Sequence, residues 1–284
     1  MRLHHRHLPA LAVVVLLTLA GCGTADEPDP APVTSKAASF AELAPDPVER
    51  CDYPTGTRKV VVTTADGVKL AGAEVGSGPR GLVLLHQRGA DLCGWGEHVP
   101  ALTKAGLRVL AIDLRCNGMS DCDRDSPGDT FDQTKDYATD AAGAAAYLRA
   151  NGAAKVAVMG ASMGAVTAVV AGGRFPDQFD AVVGLSVFST TWNASGGAST
   201  DVRTAADAVP KIAAPVLIGV GGLDTGGTIT AADARKLLAG APAAARSTVV
   251  DRPESGRHGW NMLQDGEESI LAEVLVFLKT NLPG

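Results

Sequence analysis

From residue 57 onward the chain repeats one pattern: a short apolar run, a turn, then a longer segment with helical spacing. Gly81–His86, Arg108–Asp113, Lys155–Gly160, Asp180–Val187, Pro215–Gly221 and Arg246–Asp251 are apolar at most positions and too short for helices. Such runs fit strands covered on both faces. Between them, Val99–Ala105, Asp136–Asn151, Met163–Gly172, Thr230–Ala239 and Glu268–Asn281 carry helical patterns. Ahead of them, Lys59–Thr64 and Lys69–Glu74 form a predicted hairpin across Ala65-Asp66-Gly67. Strands alternating with helices require a mostly parallel sheet covered on both faces, so the fold class is α/β, doubly wound. No internal repeat or second domain interrupts the pattern.

The first 50 residues do not share it. Arg2 and Arg6 precede an apolar run from Leu8 to Ala20, closed by Leu19-Ala20-Gly21-Cys22. A basic start, a short apolar core and small residues before a cleavage point read as a secretory signal over residues 1–21. The run falls short of the roughly 20 residues that span a bilayer. Leu-Ala-Gly-Cys looks like a bacterial lipobox, which makes Cys22 the expected lipidation site; an ordinary cleaved signal is the rival reading. Three acyl chains on one cysteine exceed the two-signal requirement for stable anchoring. Residues 22–50 hold Pro28, Pro30, Pro32, Pro45 and Pro47 without apolar periodicity, and read as a semi-rigid tether. Phe40 and Leu43 are its candidates for docking on the domain that follows, 51–284.

An exported chain can keep disulfides. Cys51, Cys93, Cys116 and Cys122 allow three pairings, and the short Cys116–Cys122 spacing favours that loop, leaving Cys51 to Cys93. Zinc is not expected, for no Cys-x-x-Cys or nearby histidine supports it. Composition excludes other classes. A formal net charge of −6 without a basic cluster argues against a nucleic-acid partner. With 46% hydrophobic but only 4% aromatic residues, the core has to be built from Ala, Val, Leu and Gly.

Ligands of such a sheet gather beyond the carboxyl ends of its strands, and three of those ends carry candidate chemistry. Gly160-Ala161-Ser162-Met163-Gly164 follows one strand directly and opens an Ala/Val-rich helix, the context a nucleophile elbow needs. Asp224 follows Pro215–Gly221, where a carboxylate could orient an imidazole or merely cap a turn. His258 follows the strand at Arg246–Asp251. Of the six histidines three lie in the signal, and among His86, His98 and His258 only the last follows both Ser162 and Asp224. Its imidazole near Ser162 would act as general base and then general acid.

With these residues in view, the chain resembles the α/β-hydrolase superfamily over about residues 57–284, in particular its small, cap-less esterases of the dienelactone-hydrolase type. Leu84-Leu85-His86-Gln87-Arg88-Gly89 is similar to the family's loop after the third strand. Asp113-Leu114-Arg115-Cys116-Asn117-Gly118-Met119-Ser120 is similar to its turn after the fourth. The resemblance implies an α/β-hydrolase fold with little or no cap, a Ser162–His258–Asp224 triad, and an oxyanion hole from the N–H groups of Met163 and of Arg88, or else Gln87. Gln87 stands where the family usually has Gly, and Cys116-Asn117 replace Gly-His. It implies no cofactor and no metal.

About 13 residues separate Val187 from a helix near Asp201, room for a loop rather than a helical cap. Trp192 in that loop, with Trp95 and Trp260, is a candidate pocket wall; packing is the alternative for each. The expected activity is carboxylic ester hydrolysis by a monomer held by its lipid on the extracytoplasmic face of the cell membrane, acting on a small-molecule or polymer ester. A peptidase or thioesterase using the same residues, and a catalytically silent binding lipoprotein, are the alternatives.

Overall fold

The apolar runs assemble as the alternation requires. In the computed structural model, which describes residues 38–122, 133–188, 204–243 and 246–284, eight strands make one sheet in the order β1-β2-β4-β3-β5-β6-β7-β8. The hairpin β1 (Arg58–Thr63) and β2 (Lys69–Val75) is antiparallel, and β2 joins β4 (Arg108–Ile112) antiparallel as well. β3 (Arg80–Leu85), β4, β5 (Lys155–Ala161), β6 (Ala181–Leu185), β7 (Val216–Gly221) and β8 (Thr248–Arg252) run parallel. Each lies within a residue or two of its predicted span. The register sets Leu85 of β3 beside Ile112 of β4 and Gly160 of β5. Three central strands therefore end level, and the loops after β3 and β5 leave from neighbouring points.

Two apolar layers flank the sheet. On one side α4 (Gln133–Ala150) and α5 (Met163–Arg174) pack with α6 (Ala205–Ala208) and α7 (Ala231–Leu238). On the other lie α3 (Val99–Lys104) and α8 (Leu271–Asn281). α4 buries Ala138, Ala141, Ala144, Ala145 and Leu148, the i, i+3, i+7 stripe of an amphipathic helix. Small side chains let backbones approach closely: a Cβ on Gly173 of α5 would stand 2.7 Å from the Ala208 Cα. This is how a chain poor in aromatics fills its interior.

The folded unit begins earlier than expected. The prolines of residues 38–50 point to a tether, but α1 (Phe40–Leu43) and α2 (Pro47–Cys51) form there, each with local caps. Ser39 and Glu42 close a capping box on α1, and Asp46 accepts from the Val48 N–H ahead of α2, where Pro47 is harmless. The Ala41 N–H donates to Asp121 Oδ1 at 3.2 Å, Lys59 Nζ donates to the Glu42 and Ala44 carbonyls, and Arg50 pairs with Asp91. Ala41 and Ala44 are the docked residues; Phe40 and Leu43 stay exposed. The signal segment, Cys22 and the tether up to residue 37 lie outside the described residues. So does 189–203, the stretch with Trp192 in which a cap would sit.

Disulfides join Cys51 to Cys93 and Cys116 to Cys122. The first ties α2 to a 3-10 turn (Leu92–Trp95) beyond β3, and the second closes the loop after β4. No helix among the described residues is long and apolar enough to cross a membrane.

Candidate active site

Ser162 sits where β5 passes into α5, with φ +54° and ψ −112°. A non-glycine residue at positive φ is strained, and that strain persists only when the surroundings impose it. Here two glycines do so. A Cβ on Gly160 would collide with the Gly164 carbonyl, and one on Gly164 would strike the Leu85 carbonyl and lie 2.7 Å from that of His86. The turn can therefore press α5 onto the end of β3 only with Gly at both places. The Ser162 N–H donates to the Leu185 carbonyl at 2.9 Å, locking the elbow to β6.

Asp224 and His258 leave the ends of β7 and β8. His258 Nδ1 lies 2.8 Å from Asp224 Oδ2 and 3.0 Å from Oδ1. A carboxylate only accepts, so Nδ1 carries the proton and the lone pair belongs to Nε2. Asp224 is buried while the imidazole is part-exposed. Glycines again permit the approach. A Cβ on Gly221 would lie 2.8 Å from the Ser255 carbonyl, one on Gly222 would collide with Pro253, and one on Gly226 would lie 2.8 Å from His258 Cε1. Gly259 follows His258 at φ +57°, and a Cβ there would lie 3.2 Å from that of Ala161, the residue before Ser162. The histidine turn and the serine elbow are thus neighbours.

Two residues not singled out in the sequence also meet here. Ser186, just past β6, donates from Oγ to Asp224 Oδ2 at 2.9 Å and accepts from the Gly259 N–H at 2.9 Å. The Gly226 N–H donates to Asp224 Oδ1 at 2.9 Å. A lone serine after a strand carries no motif; its position at a strand's carboxyl end was the available signal. Phe188 sets its ring edge-on to His258, with centroids 6.1 Å apart.

The loop after β3 is held by His86, which is buried and does no exposed chemistry. Its Nδ1 donates to the Gln87 carbonyl at 2.8 Å, and its Nε2 accepts the Leu114 N–H at 3.1 Å. Burial keeps this ring neutral, pushing its pKa below the usual histidine range against the pull of Asp113 and Asp91. Gln87 is half-buried, with its side chain toward the histidine turn: a Cβ on Gly259 would come within 2.5 Å of Gln87 Oε1. Arg88 is exposed on the same loop, and Met163 opens α5 directly after the serine.

The turn after β4 proves structural. Asp113 accepts the Leu92 and Met119 N–H groups at 2.7 Å each. Ser120 Oγ donates to the Asp113 carbonyl at 2.6 Å. Arg115, fully buried, pairs with Asp140 and Asp66. For two of the tryptophans the packing alternative holds rather than the pocket wall. Trp95 is wholly buried and Trp260 nearly so; they pack edge-to-face with centroids 5.5 Å apart, and Gly94 leaves room for the Trp260 ring. Both belong to the core beneath α3 and α8 rather than to a pocket wall. Trp192 lies outside the described residues, among which no His/Cys/Asp/Glu cluster could hold a metal.

Known proteins match in kind. Residues 77–211 fit the family model described as serine aminopeptidase, S33. An esterase from Pyrococcus furiosus superposes with TM-score 0.63 at 18% identity, covering 84% of this chain and 97% of that one. An esterase from Exiguobacterium antarcticum gives 0.59 at 17%, covering 78% and 100%. Bifunctional epoxide hydrolase 2 of Mus musculus is 44% identical over 59 residues, 21% of this chain and 10% of that protein. The chain thus spans about a tenth of the length of the curated relatives it matches. Strand order, serine elbow and these likenesses agree on an α/β-hydrolase fold.

Proposed function

We propose that the chain is a serine hydrolase that cleaves carboxylic esters through an acyl-enzyme intermediate. Ser162 is its nucleophile, His258 its acid–base group and Asp224 the anchor of the imidazole. The observation that carries this reading is the His258–Asp224 pair, whose hydrogen bond leaves Nε2 as the basic nitrogen on a turn whose Gly259 packs against Ala161, the residue before Ser162. Ser162 Oγ attacks the ester carbonyl carbon as its proton passes to His258 Nε2. Collapse of the tetrahedral adduct expels the alcohol, which takes that proton. Water then attacks the acyl-enzyme by the same route and releases the acid. The Met163 N–H and that of Arg88, with Gln87 the second choice, receive the oxyanion, a contribution of about 3–4 kcal/mol per donor in other enzymes.

The substrate is a small-molecule or exposed polymer ester with a short acyl group. The enzyme works as a monomer held by a lipid on Cys22 at the extracytoplasmic face of the membrane, and no cofactor enters. This placement rests on the signal and the Leu-Ala-Gly-Cys tetrad alone. The serine aminopeptidase match over 77–211 favours one second reading, a peptidase with the same residues.

The test is a fluorophosphonate probe together with nitrophenyl esters from acetate to palmitate and a matched amide. Wild type is labelled and hydrolyses the C2–C4 esters fastest. Ser162→Ala is unlabelled and loses roughly 10⁴-fold or more in kcat. Unlabelled wild type, or equal labelling of Ser162→Ala, rejects the serine hydrolase. Faster amide than ester turnover selects the peptidase, and preference for C12–C16 esters rejects the short acyl site.

A further inference from the structure

Ser186 is buried and belongs to no motif, yet its backbone stands at φ +61°, a conformation that side chains other than glycine rarely keep. Its N–H is taken by the Gly219 carbonyl of β7 at 3.1 Å, which fixes the residue between two strand ends. From there the hydroxyl makes a two-way link, donating to Asp224 Oδ2 and accepting from the Gly259 N–H. Asp224 thus receives three donors: His258 Nδ1–H, the Gly226 N–H and the Ser186 O–H.

The geometry points to Ser186 as a positioning residue of the proposed hydrolase: it fixes the Asp224 carboxylate and, through Gly259, the backbone that carries His258. This rests on the triad reading above. Without the hydroxyl, Asp224 keeps one fixed anchor, Gly226, and can turn about its Cβ–Cγ bond. The Gly259 N–H loses its acceptor at the same time, so both partners of the imidazole loosen together. The effect falls on the reacting geometry rather than on substrate binding, since Ser186 is buried beneath the pair.

The test uses the full chain with Ser186→Gly, which removes the hydroxyl while accepting the positive φ, and Ser186→Ala beside it. A hydrogen bond to a charged group is worth enough that kcat on nitrophenyl acetate should fall roughly 10- to 100-fold, with KM within about twofold. In an Asp224→Ala background, Ser186→Gly should change kcat by less than about twofold, because the serine acts through the aspartate. A second readout does not depend on turnover: the NMR resonance of the His258 Nδ1 proton should shift or broaden in folded Ser186→Gly. Wild-type kcat in Ser186→Gly, the same fold-loss with and without Asp224, or an unchanged Nδ1 proton resonance would each overturn the inference. A wild type that hydrolyses nothing but shows the Nδ1 change rejects the hydrolase reading and upholds the positioning of Asp224.

Discussion

Gly164 shows how narrowly the elbow is specified. An added methyl would strike two carbonyls at the end of β3, which are backbone and cannot swing aside. Gly164→Ala should cost about 1–3 kcal/mol by overpacking. It should also lower ester turnover at least tenfold by pushing α5 and the Met163 N–H away from β3. Thermal unfolding and nitrophenyl acetate kinetics check this; an unaltered melting point would show that α5 is free to retreat. At this scale, legibility followed chemistry. Ser162, Asp224 and His258 stand out as candidates because each lies beyond the carboxyl end of an apolar strand run, where ligands of such a sheet gather. Ser186 does not, since its partners are brought to it only by the neighbouring ends of β6, β7 and β8. That sequence left Trp95 and Trp260 open between pocket wall and packing has a related cause. Both lie in short turns, which sequence places at the surface, but a pair of indoles closing on Gly94 makes those turns core.

Among the elements, the strands were legible because burial on both faces leaves an unbroken apolar run. α1 and α2 were not, at four and five residues, since a periodicity cannot show in one turn. Only their caps, Ser39 with Glu42 and Asp46 before Pro47, were visible, among prolines that argued for a tether. Asp180 ties the end of α4 to the start of β5. Asp180 accepts from Arg149 at the end of α4, from Lys155 at 2.8 Å, and from the Val156 N–H at 2.9 Å. Burial pushes its carboxyl up, but these donors outweigh burial and hold it below the usual carboxylate range. A depressed carboxyl adds stability above its unfolded pKa of about 3.9, and that stability is lost as pH falls through the folded value. Asp180→Asn should therefore melt a few degrees lower than wild type at neutral pH. The gap should close as pH falls below the unfolded value, as differential scanning calorimetry across pH would record. A gap that persists undiminished in acid would mean that the site acts through packing.

For the whole molecule, the alternating pattern specified one sheet and two helical layers, and chain entropy ranks the two bonds that staple it. Cys51–Cys93 spans 42 residues of sequence and Cys116–Cys122 only 6. The loop-closure relation assigns them about 4 and about 2 kcal/mol. Replacing both cysteines of the first pair by serine should cost the larger loss, read as the change in unfolding free energy in guanidinium; equal losses would refute the ranking. Lys59, whose ammonium takes the Glu42 and Ala44 carbonyls, has a consequence for solubility. β1 is an edge strand, the place where a second chain could add by strand pairing and start an aggregate. Arg58 and Lys59 set two exposed residues with cationic side chains on that edge, and the lysine ties it to α1, whose Ala41 packs with Ala71 of β2. A shortened chain begun at Cys51 would keep both cations but lose α1, which belongs to the 13 residues from Ala38 to Arg50 that the prolines disguised.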